Sequence, residues 1–93
     1  MDIVPRRETR PTLARLGMTI ANLEQLLLGL SVADYCKGPE PDRDRPGEMW
    51  IFGRRIKDED IYIKLKVAQV GDQTIAKCIS FHIAQFPLKY PFR

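Results

Sequence analysis

Side chains that can move protons and hold phosphate are concentrated in two neighbouring stretches of the sequence. Tyr62 and Lys64 belong to the stretch IYIKLKV, and the single histidine, His82, belongs to TIAKCISFHIA. Histidine is the residue type that most readily takes or gives a proton near neutral pH. A phenol can donate a hydrogen bond, and ammonium groups, with Lys37 as a second source, stabilise a negatively charged phosphate. This set of side chains suits cleavage of RNA by its own 2′-hydroxyl. The alternative is that the same side chains have only a structural role.

The two stretches have the residue pattern of β-strands. Residues 61–67 alternate large apolar side chains with a tyrosine or a lysine, which is the period of a strand with one buried face. Residues 74–84 alternate in the same way, with Lys77 as the one charged residue on the apolar side. The turn residues Gly71 and Asp72 lie between the stretches and predict a β-hairpin.

The register of this hairpin decides which side chains share a face. A three-residue loop from Gly71 to Gln73 would place Tyr62 beside His82, whereas a two-residue loop would mix apolar and polar rows. Because a one-residue slip exchanges the faces of a strand, burial favours the three-residue loop. The solvent-facing surface is then expected to carry Tyr62, Lys64, Lys66, Cys78, Ser80 and His82.

The N-terminal half predicts helices that cover the apolar side of the sheet. Pro11–Leu16 is expected to form a short helix with Gly17 as its C-cap. Thr19 is the expected N-cap of a second helix that ends at Leu28. Residues 1–10 show no period and are expected to be mobile or loosely docked.

The middle of the chain predicts a short helix, a loop and a third strand. A capping box at Ser31 starts the helix, which should end near Lys37 before the break at Gly38-Pro39. A loop is expected from that break to Glu48, followed by a tryptophan strand from Met49 to Gly53.

The tail, residues 85–93, holds three aromatic residues and two prolines. It is expected to run extended across a sheet edge or over the core, although a proline-aromatic segment can also be a peptide ligand. The elements together predict one domain, residues 1–93, of the α+β class. Its sheet is a small antiparallel meander of three or more strands packed on the N-terminal helices.

Charge and composition narrow the classes of ligand. The net charge is +3, and Asp72 is the only acid after Asp60, against four lysines and an arginine. A basic face suits a polyanion such as RNA, and a lysine face that is merely solvated is the alternative. Two isolated cysteines and one histidine supply too few ligands for a metal, and no cofactor motif is present. No apolar stretch resembles a signal peptide or a membrane span, so a cytoplasmic location is expected.

The order of these motifs resembles the MqsR family of toxins, the mRNA interferases of bacterial toxin-antitoxin pairs. The matching segments, from about Thr9 to Ile83, are TRPTLARLGMTIANLEQLLLGLSVADYCK, a tryptophan strand, IYIKLKV and CISFH. The resemblance implies a RelE-like fold, metal-independent cleavage of mRNA, and neutralisation by an antitoxin, often one with zinc and helix-turn-helix domains. It also implies active-site roles for Lys37 and Tyr62, and it places His82 where the family has a lysine.

The chain departs from that family at several points. Ile51 stands where the family has a glutamine after the tryptophan, and the family's N-terminal helix is largely absent. The Gly38-Pro39 loop and the FPLKYPFR tail are additions. Because the glutamine is replaced by isoleucine, the cleavage specificity and the activity that the resemblance implies need to be tested directly.

An endoribonuclease of the toxin class is therefore the expected function, with RNA and an antitoxin protein as partners and no cofactor. The expected catalytic residues are Lys37, Tyr62, Lys64 and His82, and the expected RNA contacts are Arg54, Arg55 and Lys66. The alternative is a noncatalytic nucleic-acid-binding or protein-interaction module that uses the same basic face. That module would bind RNA in a salt-sensitive way without cleaving it.

Overall fold

Two α-helices form from the amphipathic segments of the N-terminal half. In a computed structural model that describes all residues from Met1 to Arg93, α1 spans Thr9–Leu16 and α2 spans Ile20–Leu28. Gly17 ends α1 with a left-handed φ of 68°, a conformation that glycine adopts without a steric penalty. Thr19 and Asn22 form a reciprocal capping box at the start of α2. The α2 bounds and the caps at Gly17 and Thr19 confirm the sequence-based prediction, whereas α1 begins at Thr9, two residues before the predicted start at Pro11. Neither helix is long and apolar enough to cross a membrane.

Five strands form one mixed sheet, so the predicted α+β class is confirmed. The strands are β1 (Asp2–Ile3), β2 (Tyr35–Pro41), β3 (Glu48–Ile56), β4 (Glu59–Val70) and β5 (Gln73–Ile83). Their order is β1-β5-β4-β3-β2, with the last four in an antiparallel meander and β1 parallel to β5. Both helices cover one face of the sheet. The core between them consists of Leu13, Leu16, Leu23, Leu27, Ile61, Ile63, Leu65, Cys78 and Phe81.

Two segments adopt strand where the sequence predicts something else. The capping box at Ser31 forms, but the helix it starts is a single 3₁₀ turn, Val32–Asp34, and the chain continues directly into β2. At the other edge β1 joins the sheet, and the N–H of Val4 donates to the carbonyl of Cys78 at 2.9 Å. Both corrections have one cause. The outer edges of β3 and β5 offer unpaired backbone groups, and pairing satisfies them.

The β4–β5 hairpin reaches the predicted pairing by an unexpected route. Tyr62 pairs with His82, as predicted. The connecting loop, however, has two residues, Gly71 and Asp72, because Val70 already pairs with Gln73. The extra residue needed to restore the register lies inside β5 as a β-bulge, between the residues that pair with Lys64 and Leu65.

The bulge reverses the faces of the first half of β5. Cys78 pairs with Leu65 and is 2% exposed in the core, so its predicted place on the solvent-facing surface is wrong. Burial raises the pKa of the Cys78 thiol to about 11, which keeps it protonated and unreactive at neutral pH. Lys77 correspondingly pairs with Lys66 and is exposed, so it is not a charge on the apolar side.

The tail crosses the sheet on the face opposite the helices. A Cβ on Gly53 would lie 2.5 Å from both Leu88 Cδ1 and Tyr90 Oη, so the glycine is what allows this close approach. At the far edge Arg93 stacks on the Tyr90 ring, 3.8 Å from its centroid, and donates from Nε to the Ala33 carbonyl at 2.9 Å. The expected extended path across the sheet is therefore observed.

Tyr90 carries a buried hydroxyl that has no hydrogen-bond partner. We expect Tyr90→Phe to raise the free energy of unfolding by about 1 kcal/mol, because it removes an unsatisfied polar group from the interior. Such a gain raises the Tm of a domain of this size by roughly 4–8 °C in a thermal melt. Tyr90→Leu is the control: it also removes the ring that Arg93 covers, and it should lower the Tm. A lower Tm for Tyr90→Phe would contradict the prediction.

Candidate active site

A pocket of about 630 Å³ opens on the face of the sheet that the tail crosses. Its floor comes from the polar side of β2 to β5, and its wall comes from the chain that follows β5. The lining residues are Cys36, Lys37, Ile51, Tyr62, Lys64, Ser80, His82 and residues 84–89. The four predicted catalytic residues are thus brought together in one pocket.

Cross-strand pairing explains this convergence, because residues paired across a sheet project to the same face. One row across four strands consists of Lys37, Ile51, Lys64 and Ser80. Tyr62 and His82 form the next row, two residues along each strand, or about 7 Å away. The bulge in β5 is what aligns the polar half of that strand with the polar side of β4.

The imidazole of His82 stacks on the phenol of Tyr62. The ring centroids are 4.8 Å apart and the planes are 16° from parallel. His82 Nδ1 lies 2.9 Å from the backbone carbonyl of Ile83, which can only accept, so Nδ1 carries the hydrogen of that bond. The neutral ring then keeps its lone pair on Nε2, and this nitrogen can take a proton.

A carboxylate stands close to the same imidazole. Glu8 Oε2 lies 3.7 Å from His82 Nδ1, with the glutamate side chain about half exposed. At this distance the two form an ion pair only when the ring is protonated. Glu8 therefore adds a negative charge beside the imidazole.

The phenol of Tyr62 remains a hydrogen donor at neutral pH. Burial is the largest cause of a raised pKa for Tyr62, and the nearby charges of Glu40 and Cys36 act in the same direction. A neutral hydroxyl beside an imidazole can donate to an oxygen on which negative charge develops.

The pocket lysines of β2 and β4 differ in their surroundings. Lys37 forms an exposed ion pair with Glu40 at 3.5 Å, which contributes little to stability and leaves the ammonium group accessible. Lys64 has no carboxylate within ion-pair distance and is partly buried at the pocket floor. It is the cation best placed to bind an anion that enters the pocket.

The three expected RNA contacts lie outside the pocket. Arg54 is on the helix-covered face, where it donates to Asp34 at 2.6 Å. Arg55 is near the end of β3 and contacts Asp60 at 3.4 Å. Lys66 Nζ lies 2.6 Å from Asp42 Oδ2, and that hydrogen bond is the largest cause of a lowered pKa for Asp42. Each of these cations already has a carboxylate partner, so the RNA contact expected from the sequence would have to compete with an ion pair, and variants of Lys66 and Arg54 test it.

Ile51 and Ser80 complete the row across the floor without supplying ionisable groups. Ile51 is 2% exposed, so a buried apolar side chain lies where the family that the motifs resemble has a glutamine. Ser80 has no hydrogen bond to a base and therefore lacks the activation that a nucleophile requires. No group of three or more His, Cys, Asp or Glu side chains is arranged to hold a metal ion.

Two features of the site escaped prediction. The tail supplies five of the 13 lining residues, including Phe86 and Lys89, and an aperiodic segment gives no signal of which face it covers. Two smaller clefts, of about 230 and 370 Å³, also adjoin His82; Arg7 lines both of them, and Arg6 lines the smaller one. The sequence shows Arg6 and Arg7, but it does not show that they lie beside β5.

The arrangement as a whole can perform acid-base chemistry on an anionic ligand. His82 offers a basic nitrogen, Tyr62 a neutral donor, and three lysines a positive potential around them. Comparisons of the chain with protein-family models, curated proteins and solved structures find no match. A function is therefore inferred from the chemistry of these side chains and from the order of the sequence motifs.

Proposed function

We propose that this protein is an mRNA interferase toxin of a bacterial type II toxin-antitoxin system, a cytoplasmic endoribonuclease that cleaves RNA through the 2′-hydroxyl. The observation that carries the proposal is the stack of His82 on Tyr62 in a pocket that also holds Lys37 and Lys64. The resemblance of the motif order to the MqsR family supports the same class, and an antitoxin protein is the partner it implies.

The proposed reaction uses four side chains of the pocket. His82 Nε2 takes the proton of the 2′-hydroxyl, and the 2′-oxygen attacks the adjacent phosphorus. The bond from phosphorus to the 5′-oxygen breaks, and the Tyr62 hydroxyl donates the proton that the departing 5′-oxygen needs. Lys37 and Lys64 stabilise the charge that builds on the phosphorane oxygens. The products are a 2′,3′-cyclic phosphate and a 5′-hydroxyl.

Incubation of the purified protein with single-stranded RNA in excess chelator tests this reaction. The expected result is cleavage with 2′,3′-cyclic phosphate and 5′-hydroxyl ends, together with growth arrest when the protein is expressed. Intact RNA, or cleavage that appears only when a divalent cation is added, would overturn the proposal. Salt-sensitive binding without any product would favour the noncatalytic module instead.

Lys64 and Lys66 provide a matched pair for testing the pocket. We expect Lys64→Gln to weaken binding of single-stranded RNA and to reduce the slope of log affinity against log salt by about 0.7, the value for one phosphate contact on a single strand. Lys66→Gln should leave that slope unchanged, because Lys66 is bound to Asp42. Salt titrations of both variants by fluorescence anisotropy measure the difference. Equal slopes would mean that Lys64 does not contact phosphate.

A further inference from the structure

We propose that Phe86 is a stacking platform for one nucleobase of a single-stranded RNA bound across the pocket. This inference rests on the proposed function in one respect, namely that RNA is the ligand of the pocket. It adds a binding subsite and a class of substrate, single-stranded RNA with an unpaired base at this position, that the catalytic groups do not specify.

Phe86 is unusually exposed for an aromatic residue. Its exposed fraction is 78%, which is higher than that of every other large hydrophobic residue of the chain, including Leu28 at 70% and Phe92 at 61%. The ring also lines the pocket that holds Tyr62 and His82. An exposed apolar ring at the edge of a binding pocket can bury its surface against a ligand, which is favourable.

The backbone on both sides of Phe86 is held in place. Before it, the N–H of Ala84 donates to the carbonyl of Asp60 at 2.8 Å. After it, Leu88 packs against Gly53, where even a methyl group would not fit. The ring is therefore presented by an anchored segment, and binding does not require that segment to be ordered first.

The surroundings of the ring favour nucleic acid over an apolar ligand. Lys37, Lys64 and Lys89 line the same pocket, so positive charge lies along the path of a bound backbone. Grooves that bind single strands combine lysines or arginines for phosphates with aromatic rings on which bases stack. A paired base is already stacked within its duplex, so the subsite selects for an unpaired one.

Binding of a fluorescent 2′-O-methyl oligonucleotide tests the inference. This probe lacks the attacking 2′-hydroxyl, so its affinity is measured whether or not the protein is a nuclease. We expect Phe86→Ala to weaken binding by roughly 5- to 100-fold, as is typical for the loss of one base-aromatic stack. Phe86→Trp should bind as tightly as the wild type, and Phe86→Leu should resemble Phe86→Ala because it is apolar but has no ring.

Phe92→Ala is the matched control. Phe92 is almost as exposed, but it lies in a separate apolar groove beside Tyr35 and Trp50, and its removal should leave the affinity unchanged. An affinity that is the same in the wild type, Phe86→Ala and Phe86→Leu would overturn the inference and leave a protein contact as the use of the ring. Absence of any binding by the wild type would overturn it as well.

The two proposals fail in different ways. If the wild type binds the probe through Phe86 but leaves ordinary RNA intact, the nuclease proposal fails and the stacking subsite stands. If the wild type cleaves RNA and Phe86→Ala binds and cleaves equally well, the subsite fails and the nuclease stands.

Discussion

His82→Ala is expected to slow RNA cleavage by about 10²- to 10⁴-fold, the usual contribution of a positioned proton-transfer group. The reason lies in the geometry of the ring: Nδ1–H is engaged by the Ile83 carbonyl, so Nε2 is the nitrogen that can take the proton of the 2′-hydroxyl. Alanine removes that acceptor, and the chain has no second imidazole to replace it. The rate should be measured in single-turnover experiments with the enzyme in excess, which separate chemistry from product release.

Tyr62→Phe is the companion variant. It keeps the ring that stacks on His82 at 4.8 Å but removes the hydroxyl proposed to act on the departing oxygen. We expect a loss of about 10²-fold with little change in RNA affinity. Both variants should relieve growth arrest on expression while melting within a few degrees of the wild type. Folded variants that still cleave at the wild-type rate would show that this ring pair is not the catalytic centre.

The strand that carries Tyr62 was predictable because its pattern is local. Alternation over residues 61–67 assigns each side chain to a face without knowledge of any partner strand. The glycine and threonine caps of the helices are equally local, since each satisfies backbone groups within a few residues. Prediction succeeded for these elements because the physical cause lies within a few residues of the chain.

The register of the hairpin shows where local reasoning ends. Burial correctly required Tyr62 to lie beside His82, but the sequence does not reveal whether the compensating residue sits in the loop or in the strand. The structure places it in β5 as a bulge, and every side chain between the bulge and the turn changes face. Cys78 is therefore buried in the core, and its predicted position in the site is wrong.

Contacts between distant segments of the chain account for the other features that the sequence did not predict. Arg54, Lys66 and their acidic partners are separated by 20 and 24 residues, so the sequence showed free cations where the structure has ion pairs. The tail and β1 dock on the sheet from opposite ends of the chain and carry no periodicity. Phe86 could not be assigned to the site for this reason.

Arg54→Met is expected to lower the free energy of unfolding by about 2 kcal/mol, below the range for a fully buried ion pair, because the Arg54 side chain is 32% exposed. The Asp34 side chain is 7% exposed and accepts hydrogen bonds from Arg54 at 2.6 Å and from the Ser31 N–H at 3.0 Å. Without Arg54 the carboxylate keeps the backbone donor and Arg93, whose nearest nitrogen is 3.5 Å away. Urea unfolding at neutral pH measures the loss, while RNA affinity should be unchanged because Arg54 lies on the face away from the pocket.

The effect of Arg54→Met should depend on pH in a defined direction. Burial on its own would raise the pKa of Asp34, but the hydrogen bonds from Arg54 and Ser31 and the charges of Arg54 and Arg93 outweigh it and lower the pKa below its usual value. A carboxyl whose pKa is lower in the folded state stabilises the fold above its unfolded pKa of about 4, and that stabilisation is lost as the pH falls through the folded value. The difference in stability between the wild type and Arg54→Met should therefore be largest near neutrality and shrink below about pH 4.

Asp34→Asn in the Arg54→Met background separates the charge from the hydrogen bonds. The amide oxygen can still accept from the Ser31 N–H, but no uncompensated charge remains buried, so the double variant should recover part of the lost stability. Its stability should also lose most of the acid dependence attributed to Asp34. Two results would mean that this ion pair does not hold the 3₁₀ turn, β3 and the end of the tail together. One is a double variant that is no more stable than Arg54→Met. The other is a difference in stability between the wild type and Arg54→Met that persists at pH 3.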